Sequence, residues 1–465
     1  MTLPTDEQRL VIDASNSVRR LKVEALAGTG KTTVLVEIAK TLKTNDPTKR
    51  ILYTAFNKMV VKEVGDRIRR FADALTVHGL AMRTVGVDFV QNKLQKNPRR
   101  LRPTEAAYRL GIESSIHFNA KRLDAYDQHT ETRLELTPPQ QFRLVRRCLA
   151  EFARSPDKLI LPEHVDEAWW SKRHEARFTL PLAVKQQIGH LAERMWDVVT
   201  RPETLTFEFL HDYYMKMWHL TNPTLPYDTI LFDEAQDADP LMRDVVENHD
   251  GQVIWCGDRH QSIYSWRGAV NAMQEVEADH TLYLTRSFRF GEEIARVANS
   301  LLRQLGGQTI KGDDRIKSSV GRVDRPDAEL YYLNITALMR FVQLVQQGEQ
   351  PTINLDLGAL KGQIHALRLL IDGINSDHPD FEQFQDLADL VAWMTDENVE
   401  WGEFEFTVRR LVQIQHSVKK LETVRDIDRA ATLQWLATLT SAIKRAEDSQ
   451  DRGASGRLLS TVHRV

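Results

Sequence analysis

The chain has 465 residues, 62 Lys plus Arg against 65 Asp plus Glu, a formal charge of -3 and 42% hydrophobic residues. That length exceeds one compact core and, at roughly 150 residues per domain, implies about three, while the near-neutral charge does not by itself announce a nucleic-acid binder. No run of about 18 apolar residues predicts a membrane span, the N-terminal MTLPTDEQRL lacks a signal-peptide core, and two cysteines, Cys148 and Cys256, are too few for a disulfide framework or zinc cluster and suit a reducing interior.

In chain order, LKVEAL at 21–26 reads as a short buried strand followed by a Gly-rich turn. The next stretch, TTVLVEIAKTLK, carries apolar residues at 34, 35, 38, 39 and 42, the spacing of a helix packed on one face. ILYTAF at 51–56 is a second strand, so strand, glycine loop, helix and strand make a βαβ unit of a parallel sheet. Residues 86–204 change character: helical patterning, Trp169, Trp170 and Trp196, and prolines at 98, 103, 138, 139 and 162 suggest a helical insertion. Basic clusters lie here too, around Lys93, Lys96, Arg99, Arg100 and Arg102 and around Arg143, Arg146 and Arg147; taken alone they read as solvated faces.

TILFDEAQD at 229–237 and QVIWCGD at 252–258 are further buried strands, each ending in acids. An open parallel sheet places its ligand crevice at such strand ends. A weaker α/β pattern starts near 285, amphipathic helices such as LADLVAWM and LQWLATLTSAIKRA fill 355–454, and SQDRGASGR at 449–457 reads as a linker. The expected fold is α/β: a P-loop (RecA-like) parallel-sheet domain from 1–85 and 205–284, a helical insertion at 86–204, a second, incomplete RecA-like domain from 285–354 and 455–465, and another helical insertion at 355–454.

The turn ALAGTGKTT at 25–33 supplies the chemistry of a phosphate-binding loop. Glycines let backbone N–H groups turn onto phosphate oxygens, and the following helix presents its positive end. Lys31 can reach the β and γ phosphates and the Thr32 hydroxyl can ligate Mg2+. Ala27, Gly28, Thr29, Gly30, Lys31, Thr32 and Thr33 form the expected nucleotide cradle. The usual pattern has glycine five residues before Gly30, where this chain has Ala25. The bland alternative is a chance Gly-rich βα turn. Asp233 and Glu234 at the tip of a strand suit a Mg2+-holding carboxylate and a base for the attacking water. The cofactors expected are therefore ATP and Mg2+.

At DEAQD the sequence resembles the UvrD/Rep-type superfamily 1 DNA helicases, and among them the F-box DNA helicase branch. Other motifs follow in family order. TDEQRLVIDA resembles the Q motif, which implies that Gln8 reads the adenine edge. YTAFNKMVVKEV at 53–64, with Phe56 and Asn57, and TVHGLA at 76–81, with Thr76 and His78, resemble single-strand-contacting motifs. GDRHQSIYSWRGA at 257–269 resembles motif III: Gln261 would sense the γ-phosphate, Tyr264 and Trp266 would stack on bases, and Arg267 would pair with motif carboxylates or phosphate. LTRSFRF at 284–290 resembles motif IV, with Arg289 directed at the γ-phosphate. The competing readings are core packing for Tyr264 and Trp266, a structural histidine for His78 and a surface salt bridge for Arg289.

The resemblance implies an ATP-dependent translocase on single-stranded or tailed duplex DNA, moving 3′ to 5′, in repair, recombination or replication. Its setting would be the cytoplasm or nucleoid in a bacterium or phage and the nucleus in a eukaryote. LLSTVHRV at the C-terminus looks like the start of family motif V, and motif VI would lie beyond it. A fragment, a partner chain that completes the motor and a naturally reduced protein each fit that pattern. Two other function classes compete: a non-catalytic ATP- and DNA-binding regulator, and an unrelated P-loop enzyme such as a small-molecule kinase, against which the order of motifs argues.

Overall fold

The computed structural model describes residues 3–55, 58–96, 101, 103–121, 131–166, 179–262, 272–331, 334–355, 357–374, 376, 378, 381, 440–441, 443–447 and 457–461. In chain order the first elements are α1 (Asp6–Ala14), β1 (Arg20–Ala25), α2 (Lys31–Asn45), β2 (Ile51–Ala55), α3 (Lys58–Ile68), β3 (Asp73–Ala74), α4 (Val77–Val85) and α5 (Val87–Gln95). There follow α6 (Pro103–Arg109), β4 (Ile116–Lys121), β5 (Glu131–Leu136), α7 (Pro138–Arg154), α8 (Leu182–Thr200) and α9 (His211–Leu220). The remaining elements are β6 (Thr229–Asp233), α10 (Pro240–Glu247), β7 (Gln252–Gly257), α11 (Ala272–Glu275), β8 (His280–Leu284), α12 (Glu292–Gln304), β9 (Ala328–Tyr331), α13 (Asn334–Gln346), β10 (Thr352–Asn354), α14 (Leu357–Ile371) and β11 (Leu458–Thr461).

Two compact units result. One comprises Met1–Arg99, Leu144–Asp166 and Leu182–Gly321; the other Arg100–Arg143, Glu167–Pro181 and Arg322–Val465. The first unit is built on a parallel sheet in the order β3-β2-β6-β7-β1-β8. Helices cover such sheets on both faces, so their strands read as continuous apolar runs rather than alternating ones. β2 and β6 are buried along their whole length. Leu35 and Ile38 of α2 pack on Leu21, Val23, Leu231 and Ile254 from three strands, and these six side chains are fully buried. α1 is fastened by a capping box between Thr5 and Gln8, and α4 by Thr76, whose hydroxyl accepts the Gly79 N–H. Because all strands run the same way, Ala25, Asp233 and Gly257 bring their chain exits to one edge.

Residues 285–321 fold with this unit, whereas the sequence suggested a second α/β pattern from 285. The chain leaving β8 turns back on the loop after β1: the Leu26 N–H donates to the Leu284 carbonyl at 3.1 Å and the Phe288 N–H to the Gly28 carbonyl at 2.8 Å. A further pair, Ser287 N–H to the Lys311 carbonyl at 2.8 Å and Lys311 N–H to the Thr285 carbonyl at 2.9 Å, ties in the stretch beyond α12. The expected insertion also divides, since Leu144–Asp166 and the chain from Leu182 belong to the first unit and Arg100–Arg143 to the second. Trp196 packs edge-on against Phe152 and Tyr213, with ring centroids 5.7 and 5.9 Å away; Trp169 and Trp170 lie outside the described residues.

The second unit contains the antiparallel hairpin β4–β5, in which Ile116 faces Leu136. It also contains a parallel three-stranded sheet, β10-β11-β9. Phe341 and Leu344 of α13, Leu367 and Leu370 of α14, Ile353 and Leu459 form its core. The α/β character expected after 285 is present in β9 to β11 with α13 and α14. Most of the helical segment expected at 355–454 lies outside the described residues.

Truncating a side chain at the centre of the first core leaves a cavity that the rigid sheet cannot close. Leu35→Ala, at a fully buried position, is expected to cost about 2–5 kcal/mol of stability, measured by chemical denaturation. A loss under about 1 kcal/mol would show that α2 is loosely packed.

Candidate active site

The loop after β1 is shaped by its two glycines. Gly28 and Gly30 take φ of 73° and 83°, in the left-handed region that carries little cost only without a Cβ. Space confirms the need at Gly28, where a Cβ would stand 2.6 Å from Ser287 Oγ and 2.7 Å from Arg289 Cβ. Ala25, by contrast, is the last residue of β1 and is buried in the sheet core, so a methyl group is welcome where the usual loop pattern has glycine. Thr29 Oγ1 donates to the Leu26 carbonyl at 2.8 Å, and Gln8 Nε2 donates to the Thr29 carbonyl at 3.2 Å. Gln8 Oε1 accepts the Thr5 N–H at 3.1 Å. The work of Gln8 in this structure is thus to hold the loop. α2 starts at Lys31 with Gly30 as its N-cap and no side-chain cap, so its first-turn N–H groups point at the loop without a side-chain competitor.

The acidic end of β6 meets this loop. Lys31 Nζ lies 2.9 Å from Glu234 Oε2, and Thr32 Oγ1 donates to Asp233 Oδ2 at 3.1 Å. The Tyr53 hydroxyl of β2 donates to the same oxygen at 2.7 Å, while the Glu234 N–H donates to Asp233 Oδ1 at 2.9 Å. Asp233 is fully buried; burial first, then the neighbouring Glu234 charge, push its carboxyl up, against the Tyr53 bond and Lys31. Burial and the Asp233 charge push the Tyr53 phenol far up, so it stays a donor. For Lys31 burial works against the charge, yet the Glu234 partner prevails and the ammonium is held above its ordinary range. Glu234 adopts φ 50°, ψ 44°, a left-handed conformation that a side chain rarely takes and that is typical of functional turns.

A relay of hydrogen bonds leads away from Glu234. Gln236 Nε2 donates to Glu234 Oε2 at 2.8 Å, Gln236 Oε1 accepts the Asp258 N–H at 3.0 Å, and Gln261 Nε2 donates to Asp258 Oδ2 at 2.6 Å. Gln261 therefore joins the pocket through Asp258 and Gln236. Arg289 is exposed beside the loop, forms no salt bridge among the described residues, and its N–H donates to Ser287 Oγ at 3.2 Å. Thr33 accepts from Arg67 of α3 at 3.4 Å, and Ala27 packs on Leu26, Ala295 and Ile310. The set fits a triphosphate with Mg2+: free helix-terminal N–H groups and an ammonium for phosphate, a hydroxyl and a carboxylate as hard oxygen donors for the metal.

A groove of about 800 Å³ opens next to the pocket within the same unit. Thr76 and His78 line it, with Lys58 and Lys62 of α3, Arg154, Asp212 and Tyr214, and Asp237 from the same acidic turn as Glu234. Thr76 is committed to capping α4. His78 Nε2 lies 3.9 Å from Asp212 Oδ1, and its ring meets Tyr214 edge-on at 5.9 Å. Arg154 Nε binds the other Asp212 oxygen at 2.9 Å. Burial opposes ionisation of Asp212, but His78 and Arg154 outweigh it and hold the carboxyl at about 2. None of Tyr53, Gln236, Lys58, Arg154 and Asp212 was singled out from the sequence: Tyr53 and Lys58 stood inside YTAFNKMVVKEV and Gln236 inside DEAQD, while Arg154 and Asp212 stood in no motif. Asn57, Tyr264 and Trp266, together with Phe56 and Arg267, fall outside the described residues.

A family model described as the UvrD/REP helicase N-terminal domain matches residues 5–281. F-box DNA helicase protein 1 of Schizosaccharomyces pombe is 30% identical to this chain, over 99% of this chain and 51% of its own length. F-box DNA helicase 1 of Gallus gallus is 30% identical over 77% of this chain and 34% of its own. The chain thus spans about half the length of the first relative and about a third of the second.

Asp239 caps α10 by accepting the Met242 N–H at 2.7 Å, and burial raises its carboxyl from 3.8 to about 6. With the folded value above the unfolded one, the folded chain binds more protons between these values, so this group's contribution to stability falls as pH rises through that window. Asp239→Asn keeps a capping oxygen and abolishes the titration. The variant should gain stability relative to the parent as pH rises from about 4 to about 6. Denaturation curves that show a pH-independent difference would contradict this.

Proposed function

The chain belongs to the UvrD/REP helicase family, and on that premise we propose that it is an ATP-hydrolysing DNA translocase working on single-stranded or tailed duplex DNA. One observation supports this reading above others. Lys31 and Thr32 at the start of α2 meet Glu234 and Asp233 at the end of β6, at 2.9 and 3.1 Å, and the turn that carries those acids continues to Asp237 in the adjoining groove.

When bound, a magnesium triphosphate supplies the phosphoryl group to be cleaved and neutralises its developing charge. In this reading Lys31 exchanges Glu234 for phosphate oxygens. The released Glu234 carboxylate orients and deprotonates the attacking water, while Gln236 keeps one of its oxygens in place. Thr32 and Asp233 would hold the metal. The relay through Asp258 to Gln261 passes a change at Glu234 to the stretch that resembles motif III, and Arg289, beside the loop, would meet the γ-phosphate. Closure and reopening of the pocket would shift the strand by population shift. The groove offers cations, histidine and aromatic faces rather than a base-reading edge, so substrate choice would be structural, not sequence-based. Movement 3′ to 5′, a role in repair, recombination or replication, and a nucleoid or nuclear setting complete the proposal. No helix among the described residues is long and apolar enough to cross a membrane.

Single-stranded DNA should stimulate ATP hydrolysis by the purified chain. Lys31→Ala should lower turnover by about 10²–10³-fold, the scale of losing one transition-state charge contact, with an unchanged circular dichroism spectrum, because its partner Glu234 is 30% exposed and is not stranded in the core. Tight binding of ATP and DNA without turnover would favour a non-catalytic regulator. Wild-type hydrolysis by Lys31→Ala would remove the pocket from consideration.

A further inference from the structure

β2 is a buried strand whose other side chains, Ile51, Leu52, Thr54 and Ala55, are fully or nearly fully enclosed. Tyr53 sits among the apolar residues of the same core, with Ile38, Ala39, Leu231 and Ile254. A phenylalanine would fill that volume without a polar atom. Tyrosine adds one O–H, and a buried O–H must find an acceptor or cost stability. Its acceptor is Asp233 Oδ2, at 2.7 Å. The strands pair so that Tyr53 faces Leu231, two residues before Asp233, and the phenol reaches the carboxylate from within the sheet.

Asp233 therefore receives three donors. Thr32 and Tyr53 share Oδ2, at 3.1 and 2.7 Å, and the Glu234 N–H takes Oδ1 at 2.9 Å. Of these, the Thr32 hydroxyl is itself one of the groups offered to the metal. The backbone N–H belongs to Glu234 itself, at the turn where φ is positive. Tyr53 alone among the three donors is held by a ring packed in the apolar core. We propose that Tyr53 is a positioning residue for the metal-holding carboxylate: its O–H fixes the orientation of Asp233, and so which oxygen edge meets the Mg2+ shell. This rests on the reading of the pocket as a magnesium-nucleotide site.

The test uses the full chain and binding alone. Affinity for a fluorescent ADP analogue is measured without Mg2+ and across a Mg2+ titration, for the parent and for Tyr53→Phe. Affinity without Mg2+ should stay within about twofold, and the Mg2+ concentration at half-effect should rise about three- to tenfold, the scale of one lost net hydrogen bond. A residue that only packs would leave the Mg2+ dependence alone, since phenylalanine keeps the ring. In an Asp233→Asn background, Tyr53→Phe should add no further change, because the pair acts as one unit. A Mg2+ requirement that is unchanged or lowered in Tyr53→Phe overturns the proposal, as does an equal shift in both backgrounds. If the parent binds no nucleotide, the pocket reading itself fails and the role of Tyr53 falls with it; if the parent binds and only the Mg2+ shift is missing, the pocket stands and Tyr53 is packing.

Discussion

The contact between the end of β6 and the start of α2 governs the site. Asp233 and Glu234 leave a strand with no exposed residue, and Lys31 and Thr32 open a helix whose inner face is locked in the same core. Neither pair can drift, because each is anchored by apolar packing two or three residues away. Rigid supports of this kind are what a charge constellation needs, since an ammonium and two carboxylates confined in a low-dielectric pocket repel or attract strongly for small errors in distance. The fully buried Asp233 illustrates the point: it is tolerable because three donors converge on it.

The turn Glu234–Asp237 gives the site its reach. Glu234 faces Lys31, Gln236 links it to the end of β7, and Asp237 faces the groove with His78 and Asp212. Four consecutive residues thus join the pocket at Lys31, a neighbouring strand and the adjoining groove. Coupling between two ligands requires an element that both can bias, and on the function proposed above this short 3-10 turn, begun by a left-handed Glu234, would be that element.

Much of the pocket was legible in the sequence because its chemistry is local. A glycine pair followed by Lys-Thr and a helix can be read from spacing alone, and so can acids after an apolar run. Ala25 looked like a departure and is explained by its place inside β1, where no positive φ is needed. What escaped was decided by tertiary contact. Tyr53 sits in a run that reads as a buried strand and Asp212 in a stretch with no motif, and only the fold shows which carboxylate or imidazole each one meets. Gln8, expected at the adenine edge, also ties the loop to the cap of α1 through its two amide atoms, a contact that spacing does not reveal. The boundary near 285 missed the return of the chain onto the loop, since backbone hydrogen bonds between Phe288 and Gly28 leave no trace in composition.

That return has a mechanical consequence. With Ser287 Oγ and Arg289 Cβ standing 2.6 and 2.7 Å from where any Cβ on Gly28 would be, the loop and the strand exit behave as interlocked parts with no clearance between them. A displacement of one must be transmitted to the other at once, without the slack that a water layer or a flexible side chain would provide. The arginine at 289 is thereby geared to the loop itself, and the tolerance of this assembly to substitution is set by a missing methyl group.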